Sequence, residues 1–200
     1  MKAKRIKGVL FDFDGTLTLP GALDFPSIKK EISCPHEMPV LEFIEGQTAE
    51  KRKSFLEVLN RREALAAEHS QPNEGAERCL SELKRRGILF GIHTRNSLLS
   101  VQRALGRFRT VWAEDFRAIM TRDDSLPKPH PDGVIKASTK MGVSVEELMV
   151  VGDYRFDIIA GKSAGARTVL LTNGKKPALL LEDPEPDHVV DRLEEILDLL

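Results

Sequence analysis

Asp12 and Asp14 stand two residues apart, directly behind the apolar run Val9-Leu10-Phe11 and ahead of Gly15. A run of that kind becomes a fully buried strand. An acid that closes such a strand loses hydration, and an unpaired buried carboxylate is costly, so its charge must be used. Side chains two apart on an extended segment lie on one side of it. The pair therefore suits a nucleophile beside a general acid, or a hard cation held by oxygen ligands. The plain alternative is a strand closed by an Asx turn.

Three further polar clusters follow apolar runs. His93-Thr94-Arg95-Asn96 comes after residues 88–92, and Pro127-Lys128-Pro129 after residues 118–120. Gly152-Asp153-Tyr154-Arg155-Phe156-Asp157 comes after residues 149–151. In an open parallel sheet the carboxyl ends of the strands share one edge, where ligands bind. Parallel pairing would collect Asp12, Asp14 and Asp153 there with Thr94 and Lys128. The acids call for a counter-ion, while Thr94 and Lys128 can hold an anion. Mg2+ with a phosphate meets both demands, because Mg2+ takes few carboxylates and favours phosphate oxygens. Taken singly, each residue has a plainer role: Asp153, Asp157, Thr94 and Asn96 as helix caps, Lys128 as a loop lysine. Together the plain roles need five coincidences at strand ends. His93 reads as packed and His130 as exposed.

The elements that must position these residues alternate in the manner of a parallel α/β sheet. Strands are predicted over 9–11, 88–93, 110–113, 118–120, 148–151, 167–171 and 187–190. Helices are predicted over 74–86, 97–105, 131–141, 157–164 and at the C-terminus, where Asp191 and Glu194 have capping spacing. Between residues 19 and 72 the signals are helical only: 26–32 capped by Asp24, 38–45 ending at Gly46, and 48–69. The last carries an apolar stripe of Phe55, Leu56, Leu59 and Leu65. An insert of this size cannot bury a core alone and should rest on the main domain. The predicted organisation is a core of residues 1–18 and 73–200, with residues 19–72 as a small helical cap.

The chain has 200 residues, 41% hydrophobic and 30% charged, with a net charge of −1. Such a balance creates no strong field, so neither nucleic acid nor a membrane surface is expected as a partner. The apolar run behind the basic start is cut short by Asp12 and Asp14, unlike a secretory signal, and no run has transmembrane length. Cys34 and Cys79 have no metal spacing and make no disulfide framework, which fits a reducing cytoplasmic setting. Residues 182–186 read as a solvated acidic loop. Ala160-Gly161-Lys162-Ser163 imitates a P-loop, but Phe156 stands where that motif needs glycine.

In their order, D-x-D-G-T, an apolar run ending in Thr, Lys before Pro, and G-D-x-x-x-D, these motifs resemble those of the haloacid dehalogenase superfamily. The branch most similar is the phosphoglycolate-phosphatase-like one. The resemblance implies a Rossmann-like, three-layer parallel-sheet core with a small all-helical cap inserted after the first strand. It implies Asp12 as the nucleophile that forms an aspartyl-phosphate, and Asp14 as general acid and then base. Mg2+ would be held by Asp12, Asp153 and the backbone carbonyl of Asp14. Thr94 would hold the phosphate, Lys128 would steady nucleophile and phosphoryl charge, and Asp157 would be an outer partner of metal waters or the lysine. Arg95 and Asn96 would lend backbone N–H groups to phosphoryl oxygens.

The expected activity is Mg2+-dependent hydrolysis of small phosphate monoesters, with a small phosphorylated metabolite as partner. A phosphomutase on the same scaffold and a catalytically idle binding protein are the rival readings. Whether the chain is a monomer or a homodimer stays open. Arg52, Arg61 and Arg62 are the candidate substrate selectors of the insert, and Lys51 and Lys53 belong to a solvated face.

Overall fold

The computed structural model describes residues 4–177 and 179–200. Its apolar runs become six strands: β1 (Gly8–Phe11), β2 (Leu89–His93), β3 (Ala118–Met120), β4 (Leu148–Gly152), β5 (Arg167–Leu171) and β6 (His188–Val190). They form one sheet of order β3-β2-β1-β4-β5-β6, with every pair parallel. All four residues of β1 are buried because helices cover both of its faces. Val9 and Phe11 pack into one layer with Leu80 and Leu83 of α4 (Ala76–Arg85) and Val101 of α5 (Leu98–Leu105). Leu10 faces the other, with Val134 and Ala137 of α6 (Asp132–Met141) and Ala160 of α7 (Arg155–Ala164). This is the three-layer, Rossmann-like α/β core expected of the sequence.

The chain steps outward from β1 to β2 and β3, then returns to β4 on the other side of β1. The direction of winding reverses there, and the ends of β1 and β4 flank the crevice where such sheets bind ligands.

Between β1 and α4 lie three insert helices, α1 (Phe25–Glu31), α2 (Val40–Glu45) and α3 (Ala49–His69). Asp24 caps α1 by accepting from the Ser27 N–H at 3.1 Å. The insert has its own apolar cluster, including Ile28, Ile32, Val40, Ile44 and Leu59. The outgoing and returning chains meet where the Leu19 N–H donates to the Gln71 carbonyl at 2.9 Å. Among the described residues, no helix is long and apolar enough to cross a membrane.

Four expectations change. Leu65 is 51% exposed, whereas Leu59, Glu63 and Ala67 form the buried face of α3. Residues 110–112 are not a strand, since Glu77 takes the N–H groups of Arg109 and Thr110. The C-terminal segment Leu193–Leu199 is a 3-10 helix, and Asp191 accepts from the Thr172 hydroxyl instead of capping it. The 182–186 loop is more than a solvated run: Asp183 is held by Arg155, with Nε to Oδ2 at 2.7 Å.

Candidate active site

The loop after β1 is fixed by its own backbone, with the N–H groups of Leu17 and Thr18 both donating to the Phe13 carbonyl at 2.9 Å. Gly15 adopts φ +81, and a Cβ there would stand 2.2 Å from Asp153 Oδ2. Glycine serves this position twice over: it accepts the left-handed backbone and lets the acid approach. Gly152 allows a similar approach, since its Cβ would lie 2.2 Å from the Asp157 carboxyl carbon.

Asp12 follows β1, Asp153 follows β4, and Asp157 sits in the first turn of α7. Each offers one oxygen to a group whose members lie within 4.8 Å of one another. Lys128 reaches this group from the loop after β3. Its ammonium donates to Asp12 Oδ1 and, at 2.6 Å, to Asp157 Oδ1. The lysine is only 3% exposed. Asp157 also accepts from the Tyr154 N–H at 3.2 Å.

Asp14 points elsewhere. Its carboxylate accepts from the Asn96 side-chain amide at 2.5 Å and from the Thr18 hydroxyl at 3.4 Å. The Thr94 hydroxyl oxygen accepts from the Asn96 N–H at 3.2 Å, which leaves its own proton free to donate.

The charges follow from this layout. Burial, joined by repulsion from Asp12, pushes the Asp14 carboxyl up to about 6, while the Asn96 hydrogen bond resists. Burial, then repulsion from Asp12 and Asp157, pushes Asp153 up to about 8. Asp157 rises to about 6, chiefly through burial, with Lys128 opposing. Burial pulls the Lys128 ammonium down, but Asp12 and Asp157 outweigh it and raise its pKa above the ordinary value. One lysine thus faces three carboxylates, so the set suits an added cation bound through oxygen.

Asp12, Asp153, Asp157 and Lys128 are thus brought together, with Asp14, Asn96 and Thr94 beside them. The Arg95 side chain turns away from this group. It donates to the Lys128 carbonyl at 2.9 Å and to Glu42 of α2 at 2.5 Å, and its guanidinium lies 5.1 Å from the Phe156 ring centroid. Asn96 is not a helix cap; Ser97 caps α5. Arg52 pairs with Glu45, and Arg61 and Arg62 both pair with Glu31, on the exposed side of the insert. His93 is buried, as expected, and burial holds its pKa well below the ordinary value.

The sequence reading missed Glu63. This residue of α3 is 3% exposed and pairs with Arg122 of the loop after β3. It also accepts from the Ser97 N–H at 3.1 Å and the Ser97 hydroxyl at 3.0 Å. The signal was present: an acid midway between Leu59 and Ala67, at four-residue spacing on one helical face.

The profile of the family described as Haloacid dehalogenase-like hydrolase matches residues 20–171, a stretch that begins just past the first two acids. An uncharacterized hydrolase of Saccharomyces cerevisiae is 36% identical over 200 residues, covering 98% of this chain and 92% of the relative. Pyrophosphatase PpaX of Bacillus velezensis is 29% identical, covering 100% of this chain and 98% of its own. In fold, the chain resembles the crystal structure of a predicted phosphoglycolate phosphatase from Haemophilus somnus. That match has a TM-score of 0.74 at 23% identity and covers 98% of each chain.

Proposed function

The chain belongs to the haloacid dehalogenase-like hydrolase family and is a phosphatase, and on that premise we propose that it hydrolyses small phosphate monoesters at a Mg2+ site through an aspartyl-phosphate on Asp12. One observation carries this reading. A carboxylate tethered by a buried lysine shares a crowded acidic cup with Asp153, while a second carboxyl, Asp14, stands beside the cup in a form easily protonated.

In this reading Lys128 holds Asp12 by one oxygen and leaves the other to attack phosphorus. Thr94 donates its hydroxyl to a phosphoryl oxygen. The bond from phosphorus to the leaving oxygen breaks as the Asp12 bond forms, and Asp14 gives that oxygen its proton. Asp14, now ionised, takes a proton from water as the water attacks phosphorus and releases Asp12. Mg2+, held by Asp12, Asp153 and the Asp14 backbone carbonyl, would offset the repulsion between an anionic nucleophile and a dianionic ester. The insert, residues 19–72, acts as a cap that keeps bulk water from the core of residues 1–18 and 73–200.

A raised Asp14 favours esters over anhydrides. An alcohol leaves poorly without a proton, whereas phosphate leaves readily as an anion, so an acid with a pKa of about 6 matters most for the ester. The test is release of inorganic phosphate from p-nitrophenyl phosphate and a panel of sugar and short-chain monoesters, with Mg2+ and with EDTA. Turnover that needs the metal supports the reading; silence on every ester opposes it.

A further inference from the structure

We infer that Glu63 is a positioning residue: together with Arg122 it holds the loop of residues 94–97 so that the Asn96 side chain meets Asp14. This rests on the phosphatase reading, with Asp14 as its acid, and deepens it by naming residues that act through Asn96.

Asn96 lies between two peptide units, and each unit has one N–H and one carbonyl to satisfy. The Asn96 N–H donates to the Thr94 hydroxyl at 3.2 Å, inside the loop. The other groups are held from outside it. The Arg95 carbonyl accepts from Arg122 Nη1 at 3.0 Å, and the Asn96 carbonyl from the Arg122 N–H at 3.3 Å. The Ser97 N–H donates to Glu63 Oε2 at 3.1 Å. The loop thus supplies one of its own anchors, and Glu63 with Arg122 supplies the rest.

Those two residues are themselves fixed. Glu63 Oε2 also accepts from the Ser97 hydroxyl at 3.0 Å and the Ser100 hydroxyl at 3.3 Å. Both of its oxygens pair with the Arg122 guanidinium, which reaches Asn60 as well. The side chains of Glu63 and Arg122 are 2% and 8% exposed, so water does not stand in for either partner. Without Glu63 the Ser97 N–H loses its acceptor and Arg122 its anion, and both are driven toward water. The Asn96 amide moves with its backbone. Its bond to Asp14, at 2.5 Å, is the shorter of the two that this acid accepts from side chains, the Thr18 hydroxyl standing at 3.4 Å. A small displacement matters here, because a misplacement of about 1 Å can cost on the order of a hundredfold in rate.

The test uses the leaving group to separate positioning from stability. An alkoxide needs a proton as it departs, whereas p-nitrophenolate departs without one, so only an alkyl ester feels a misplaced acid. The quantity read is kcat/KM, which covers the steps up to departure of the leaving group. It is measured with Mg2+, at each variant's own pH optimum, on p-nitrophenyl phosphate and on the best alkyl phosphate of the panel. Glu63→Ala should lose about tenfold or more on the alkyl ester, out of the hundredfold or more that a placed acid supplies, and less than about threefold on p-nitrophenyl phosphate. Glu63→Leu with Arg122→Met, an apolar pair that keeps the test open where Glu63→Ala fails to fold, should show the same split. Asn96→Ala alone should show it too. Adding Asn96→Ala to the apolar pair should cost the alkyl ester no more than about twofold further, because residues acting through one another are not additive. A folded variant without the split overturns the inference, and so does a larger further loss. A wild type that cleaves p-nitrophenyl phosphate but no alkyl ester also overturns it, since no acid is then at work to be positioned. A wild type that releases phosphate from no ester at all sinks the phosphatase reading as well.

Discussion

The side-chain amide of Asn96 donates a 2.5 Å hydrogen bond to Asp14 Oδ2, and so turns that acid away from the Asp12, Asp153 and Asp157 cluster. The bond favours the ionised acid, against burial and Asp12, which raise its pKa to about 6. A general acid works protonated, so the rate on alkyl phosphates should fall as pH rises past that value. Asn96→Ala removes the opposing bond, raises Asp14 further, and should move the falling limb of kcat to higher pH. The pH profile of kcat on 2-hydroxyethyl phosphate checks this; an unmoved limb would remove Asp14 from the acid's role.

Asp14, Asp153 and Asp157 all bind their protons more tightly in the folded chain than the ordinary value of 3.8. Folding therefore takes up protons, and each contribution is lost as pH climbs, through about 6 for Asp14 and Asp157 and about 8 for Asp153. In EDTA the Tm should fall between roughly pH 5 and pH 8. Added Mg2+ should raise Tm, and by more at the higher pH, where protons no longer compete for the acids. An equal rise at both ends would mean that the cation binds elsewhere.

Gly15→Ala would force a Cβ to within 2.2 Å of Asp153 Oδ2 at a residue with φ +81. Asp153, the proposed metal ligand, must shift. The Mg2+ concentration giving half-maximal activity should rise about tenfold or more, in line with other disturbances around metal ligands. Titrating activity against Mg2+ reads the effect directly. An unchanged midpoint would show that Asp153 is not a ligand.

Glu63→Ala leaves the Arg122 guanidinium buried without its carboxylate. Breaking one side of such a pair costs about 3–5 kcal/mol. For a chain of this size that lowers Tm by roughly 2–4 °C per kcal/mol. Replacing both residues by apolar ones, Glu63→Leu with Arg122→Met, should restore much of the loss. Thermal unfolding of the two variants checks it, and equal losses in both would mean that the pair itself stabilises the fold.

What the sequence made legible was local. The run Val9–Phe11 with its two acids, the glycine and cap signals, and the order of the four polar clusters carry their structural meaning within a few residues. What it hid depends on distant partners. Nothing near Glu63 announces Arg122, 59 positions away, so Leu65 looked like the inward residue of α3. Glu77 spends its carboxylate on backbone N–H groups 32 and 33 residues on, which removes a strand that the side chains of 110–113 would suit. Arg95 lies beside Thr94 in sequence, yet its side chain answers to Glu42 of the insert.

The account stands on Asp12 as the atom donor to phosphorus. Acid-quenching the enzyme during turnover of p-nitrophenyl phosphate with Mg2+, then mapping peptides by mass spectrometry, should find a phosphoryl group on the peptide carrying Asp12. Asp12→Asn should show neither adduct nor turnover. Wild-type turnover by Asp12→Asn, or an adduct on another residue, would contradict it.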